Sequence, residues 1–495
     1  MGIVFRQSIK SSIVIFGGIL LGAIFTYAIS KALPKSELGG VRDLLSKGSV
    51  LQLVLLAGAA NLVNPYLLRY AKDDRRRSVL ITITLAMPLV IGCITSIPYF
   101  LIKDLVVSRY QYENRAFVSR YYAWLPVLSM LMAYLTLLEY YLTAQLKVAA
   151  AIFMREVVLR ICFLAIIGLF AAGTISLHYF VVGSVLIHLV PVALLVMLSL
   201  KTKEFRINTD WKVFSRAEYR EIIHYAWFHL LTTATLNLIS YVDTLMLGPL
   251  SAAGFDDVAV YTNAQFLIAI LYAPYRAMSG AAFPKLAEAF LANAKEKMHD
   301  LFNRTGLNML IVSVAMWLIV VCNLRNAVAI LPPGFEAMTP VVLILSLGRM
   351  VDMGTGLNTE LISVTQYYKF NFRLAIFMLV AVVVCDRIFI PSYGIFGAAW
   401  VASLTAVSAN LMKMIFLYRK TGLHPFSIHS IRILIAGAVT YGSNFLIPTL
   451  AHPVGDALLR TAILVSIYTA LLVFLKPSPD LTNYLQQVRK NKRLF

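Results

Sequence analysis

The chain has 495 residues, 59% of them hydrophobic and 14% charged, with a formal net charge of +20. Soluble domains carry about 25% charged residues, so the apolar excess faces something other than water and a soluble enzyme or nucleic-acid-binding domain is excluded. Only helices or closed barrels satisfy the backbone in lipid, and the apolar runs here are continuous rather than alternating, which excludes barrel strands.

In chain order, the first run, "SSIVIFGGILLGAIFTYAIS", follows Arg6 and Lys10. It is longer than a signal-peptide core and is read as a retained first helix over 9–32. Further spans are expected at 50–70, 79–102, 121–143, 150–171 and 178–200. After a basic stretch at 201–220 they resume at 221–247, 257–280, 304–322, 338–365, 371–390, 395–418, 430–449 and 457–475. Gly18 and Gly22 form a GxxxG, a close-packing signal, and "GTG" at 354–356 is read as a helix break. Cys93, Cys162, Cys322 and Cys385 lie in or at the ends of apolar runs and form no CxxC. They are read as small apolar packers, with Cys322 and Cys385 as the one pair placed for an outer disulfide.

Lys and Arg set the orientation. With the N-terminus inside, 28 of them fall in inner segments and 10 in outer segments, which places both termini in the cytoplasm. The charge is thus topology rather than a partner. The segment 39–71 can be laid on 254–289, each a glycine-rich outer loop leading into a helix that ends inside at a proline, Pro65 or Pro284. Six spans separate them, so the repeat is parallel. The expected fold is an all-α polytopic membrane protein of about 14 transmembrane helices, in two pseudo-symmetric six-helix lobes plus a C-terminal helix pair. The expected domains are an N-lobe at 1–200, a cytoplasmic linker at 201–220, a C-lobe at 221–420, and an additional pair with a basic tail at 421–495.

The stretch "YVDTLMLGPLSAAGFDDVAVYTNAQFLIAILYAPYRAMSGAAFPKLAEAF", with Tyr261, Ala264 and Pro284, and "LPKSELGG" at 33–40 resemble the multidrug/oligosaccharidyl-lipid/polysaccharide (MOP) exporter superfamily. The likeness is to its polysaccharide and O-antigen (Wzx-like) flippase branch. That resemblance implies movement of a polyprenyl-diphosphate-linked glycan from the inner to the outer leaflet of the cytoplasmic membrane. The implied setting is surface polysaccharide or lipopolysaccharide synthesis, with membrane lipids and other polysaccharide-assembly proteins as partners.

Charges inside spans are costly in lipid and face a cavity or a partner. Arg160 lies in span five, Arg276 in span eight and Arg349 in span ten. Guanidinium groups offer forked, charge-assisted hydrogen bonds to phosphate, so these three are candidate substrate-binding residues of a central cleft. The alternative is structural, with Arg349 paired to Asp352 and Arg155 or Arg160 to Glu156. Asp352, Asn61 and Asn64 complete the candidate cleft set, Asn side chains being able to bind sugar hydroxyls. Asp243, inside "LNLISYVDTLMLGPL", and Asp386 are candidate coupling-ion ligands, because carboxylate oxygens suit hard ions and the resemblance points to such a site in the second lobe. Na+ or H+ is the candidate ion. No other cofactor or metal is expected.

The chain contains no HExxH, GxSxG or P-loop, so it is expected not to be an enzyme and any active transport must run on an ion gradient or substrate flux. Two alternatives stand beside the flippase. One is a multidrug/cation antiporter of the same fold, against which the mid-span arginines weigh. The other is a membrane-embedded glycan polymerase or ligase, for which the outer segments 33–49 and 103–120 are short.

Overall fold

The structure, a computed structural model, describes residues 2–70, 74–202, 205–292, 294–424 and 426–478. The end of the expected basic tail, 479–495, lies outside the described residues. Among the described residues the chain is helical, with no strand. It divides into two compact units, Met1–Ala259 and Val260–Phe495.

The first unit comprises α1 (Gly2–Ala32), α2 (Lys35–Leu56), α3 (Ala59–Arg69), α4 (Arg75–Leu101), α5 (Lys103–Ser108) and α6 (Tyr112–Tyr121). It continues with α7 (Trp124–Ala144), α8 (Val148–Phe153), a π segment (Met154–Val158), α9 (Leu159–Ala171), α10 (Leu177–Leu186), α11 (Leu189–Leu200) and α12 (Arg216–Leu250). The unit boundary falls near the start of α13 (Phe255–Leu291). The second unit continues with α14 (Lys295–Cys322), α15 (Leu324–Ala329), α16 (Met338–Gly354), α17 (Asn358–Val364), α18 (Tyr368–Thr421), α19 (Ile428–Ser443) and α20 (Pro453–Leu475).

All fourteen expected spans fall on helix, but they do not form fourteen simple rods. Among the described residues seven helices are by themselves long and apolar enough to cross a membrane, or nine if two bent pairs each count once. The bent pairs are α2 with α3, at 50°, and α16 with α17, at 47°. The first bend uses Ala57 and Gly58, both left-handed at φ 43° and 82°. A Cβ on Gly58 would come 2.1 Å from the Ala226 carbonyl oxygen, so only glycine fits. Two expected spans, 371–390 and 395–418, run together as α18, with a non-helical break at Gly394. Span five is interrupted by the π segment.

The outer stretches read as loops are largely helix. Residues 33–49 fold into most of α2, and 103–120 into α5 and α6. Charge had argued for loops, yet Asp43 and Lys47 pair at 2.5 Å one turn apart on α2, and Asp43 also accepts from the Tyr110 hydroxyl at 3.2 Å. Local pairing lets the helix carry them.

Helix starts follow their capping chemistry. Ser215 and Glu218 form a reciprocal capping box at α12, and Pro453 begins α20. The core of the first unit is packed by Leu62, Val79, Leu80, Leu138, Leu142 and Leu195. A core in the second unit joins α14, α19 and α20 through Leu310, Val314, Ile433, Ala436 and Leu464. α16 meets α18 at Gly348, where a Cβ would lie 2.9 Å from both the Cα and the carbonyl oxygen of Ser403. Small residues permit such approach where lipid supplies no hydrophobic drive between helices. The four cysteines are free thiols. Cys322 is buried in the α14–α19–α20 core, so the candidate disulfide with Cys385 is not formed.

Candidate functional site

The second unit gathers a polar cluster from four helices. α13 contributes Tyr272, Tyr275, Arg276 and Ser279, spaced to share one face. The guanidinium of Arg349, on α16, lies 4.9 Å from the centre of the Tyr272 ring, and that of Arg276 lies 5.7 Å from it. Two arginines distant in sequence thus converge on one aromatic ring, a cation–π arrangement.

Arg349 also pairs with Asp352, but by a single long contact of 3.4 Å with a side chain 39% exposed. Asp352 has a second partner, the Asn410 side-chain amide of α18 at 2.9 Å, and the Thr355 hydroxyl donates to the Asn410 carbonyl at 3.4 Å. Arg276 makes no carboxylate contact among the described residues.

The cluster extends through the break between α16 and α17. Bending the helix frees backbone carbonyls, which must find donors. The Tyr275 hydroxyl donates to the Gly356 carbonyl at 2.9 Å. Ser279 donates to the Glu360 carboxylate, and Lys413 donates to the Thr359 hydroxyl at 2.9 Å. Three formal cations, Arg276, Arg349 and Lys413, therefore share this region with two carboxylates, Asp352 and Glu360. Fixed donors in positive excess favour an anion.

Arg160 belongs to the first unit. Its Nη2 pairs with Glu156 Oε2 at 2.7 Å, against α1 at Gly18, where an added Cβ would sit 2.8 Å from the same carboxylate oxygen. Arg160 thus makes an ion pair with Glu156 and Arg349 one with Asp352, the pairings the structural alternative expected. Arg155 is clamped by Glu139 through Nε at 2.9 Å and Nη2 at 2.7 Å. Asn61 sits on α3 just beyond the bend, and Asn64 lies on the same helix with its side chain outside the described residues.

Asp243, on α12, is 5% exposed, and Asp386, on α18, is fully buried. Both carboxylates engage in further interactions, and they belong to different units. Sequence reasoning missed Tyr272, Asn410, Lys413 and Glu360. Tyr272 was lost among ordinary aromatics of a long apolar helix, and Lys413 was counted as an inner-end charge.

No protein-family model and no curated protein matches the chain. Solved structures do. One described as "Lipid II flippase MurJ, inward closed conformation" superposes with a TM-score of 0.76 at 14% identity, covering 94% of this chain and 99% of that one. An inward-facing multidrug resistance MATE family transporter of the MOP superfamily gives 0.64 at 15% identity, covering 82% and 94%. A MOP superfamily transporter from Pyrococcus furiosus, whose description reports a binding pocket of reverse polarity suggesting a different function, gives 0.55 at 13% identity, covering 84% and 96%. The chain therefore carries the all-α, multi-pass membrane fold shared by the lipid II flippase MurJ and the MATE transporters.

Proposed function

We propose that the protein is a flippase that carries a polyprenyl-diphosphate-linked oligosaccharide across the cytoplasmic membrane by alternating access, in the assembly of a surface polysaccharide such as lipopolysaccharide. The observation that carries this reading is the convergence of Arg276 and Arg349 on Tyr272, in a region where cationic side chains outnumber carboxylates. A lipid diphosphate brings a charge that hydrocarbon rejects, and paired guanidinium donors replace its water. The likeness in fold to a lipid II flippase supports the same substrate class. Asn61 and Asn64 are proposed glycan contacts. Arg160, paired with Glu156, is proposed to order helices. Both termini are proposed to be cytoplasmic, with a lipid-linked glycan and bilayer lipids as partners.

The test is reconstitution in proteoliposomes with a fluorescent prenyl-diphosphate-linked sugar on the inner leaflet. The protein should transfer it, and Arg276→Ala should not. Equal transfer by both, or none by the native chain under an imposed ion gradient of either sign, overturns the reading. The likeness to MATE transporters favours one second reading, a cation antiporter. In that case Asp243 or Asp386 binds the coupling Na+ or H+, and the native chain expels a fluorescent cation that Asp243→Asn or Asp386→Asn retains.

A further inference from the structure

Within the first unit, the start of α12 sorts its charges by face. A helix turns about 100° per residue, which sets Glu218 and Glu221 on one side. Each meets a cation there: Glu218 pairs with Arg76 of α4 at 3.3 Å, and Glu221 with Arg69 of α3 at 3.0 Å. Arg216, Arg220, Ile223, Trp227 and Leu231 share the opposite side, in an arc about 80° wide, and all five are exposed. Lys212 and Trp211, in the short turn before the helix, are exposed as well. That turn is fixed to the helix by the Tyr219 hydroxyl, which donates to the Trp211 carbonyl at 2.9 Å.

Basic residues at the ends of spans set topology, and most that lie near a carboxylate here are neutralised by it. These three are not. Among the described residues no ion pair or hydrogen bond reaches the Lys212, Arg216 or Arg220 side chains. Asp210, exposed two residues before Lys212, leaves three cations against one carboxylate. Directly along the helix from them the surface turns apolar, with Ile223 66% and Trp227 60% exposed. The row from Ile223 to Leu231 covers about 12 Å of helix axis, inside the about 15 Å that one leaflet's hydrocarbon occupies.

We propose that this face of α12 binds an anionic phospholipid, its phosphate held by Lys212, Arg216 and Arg220 and an acyl chain laid along Ile223, Trp227 and Leu231. The order of charge, then oil, along one helix face matches a lipid standing upright beside it. Long arginine stems reach from an apolar flank to the headgroup level, and an exposed tryptophan such as Trp211 suits the interface. The charge excess selects the headgroup. A choline or ethanolamine lipid brings its own cation beside the phosphate and gains little from a positive surface, whereas a glycerol headgroup leaves the phosphate charge uncompensated. An acidic peptide would satisfy the cations and leave the apolar row uncovered. The site depends on the membrane fold alone, so the flippase reading stands or falls separately.

The test is native mass spectrometry of the full chain released from a neutral detergent, titrated with dioleoylphosphatidylglycerol or dioleoylphosphatidylcholine. Each Lys or Arg near the lipid surface contributes about fivefold to the attraction of an anionic lipid. A net excess of two positive charges should therefore make the first phosphatidylglycerol bind about 25-fold tighter than the first phosphatidylcholine. Arg216→Gln with Arg220→Gln should bring the two lipids to near parity, and Arg216→Lys with Arg220→Lys should keep the preference. Arg304→Gln with Arg419→Gln, an equal loss of charge in the second unit, should keep it too. Trp227→Ala should weaken both lipids alike. Equal binding of the two lipids by the native chain, a preference that survives the paired Gln variant, or an equal loss in the charge-matched control overturns the site. Unchanged binding of both lipids in Trp227→Ala overturns the acyl contact and the site with it.

Discussion

Replacing Arg276 by alanine removes a guanidinium that lies over Tyr272 and touches no carboxylate among the described residues. A hydrogen bond to a charged group contributes about 1.5–3 kcal/mol, and about 1.4 kcal/mol is a factor of ten. Arg276→Ala should therefore weaken diphosphate binding by about 10- to 150-fold. The exposure of Arg276 favours the lower end, because water competes for the same donors. Arg349 is already engaged by Asp352 through one contact of 3.4 Å at a partly exposed site. Such a pair contributes at most about 1 kcal/mol, so Arg349→Ala should cost up to about fivefold less than Arg276→Ala. Asp352→Asn removes the competing carboxylate, can keep the bond with Asn410, and should strengthen binding by a similar factor. The assay is farnesyl diphosphate affinity of nanodisc-embedded protein at two ionic strengths, with the arginine effects shrinking at high salt. Native affinity in Arg276→Ala, or weaker binding in Asp352→Asn, would refute the anion argument.

Three further outcomes are expected. The buried pair Asp456–Arg460 is 2.9 Å apart with side chains 4% and 7% exposed, and it also holds Asn326, Asn444 and the Leu450 amide. Arg460→Met should cost about 3–5 kcal/mol in detergent-denaturation midpoints, and a loss below about 1 kcal/mol would contradict the network. At α12 the Ser215 backbone and hydroxyl hold the Glu218 carboxyl below its ordinary value. A depressed carboxylate stabilises the folded state above its unfolded pKa and loses that contribution as pH falls through the folded one. Amide protection in the first turn of α12, measured against the unfolded-chain exchange rate at the same pH, should therefore fall as pH drops below about 4.5, and Glu218→Ala should abolish the pH step. Gly348→Leu should separate α16 from α18 and abolish transport with loss of thermal stability, whereas Gly348→Ala should cost less of both.

Much of the fold was legible because lipid imposes it. Apolar runs located helix at every expected span, of which, among the described residues, seven to nine are long and apolar enough to cross a membrane. The expected pairings of Arg349 with Asp352 and of Arg155 or Arg160 with Glu156 are met by Arg349–Asp352 and Arg160–Glu156. "GTG" at 354–356 marked the bend between α16 and α17. What hydropathy hid was helix carrying its own counter-charges. Asp43 and Lys47 lower the apolar signal of α2 without breaking it, so its outer half read as loop. The π segment carries no sequence signature, and its fork between Arg155 and Glu139 needs α7 in place. The meeting of Arg276 with Arg349 needs α13 and α16 packed at a register that no periodicity encodes.

At Gly348 two rods touch main chain to main chain. Side chains can repack and let helices slide, but bare backbone against bare backbone has no such lubricant. Arg349 and Asp352 on one rod and Asn410 and Lys413 on the other are bolted to a stiff frame. Any bending within this half falls to the elbow beyond Gly354, which the Tyr275–Gly356 bond holds at its 47° angle.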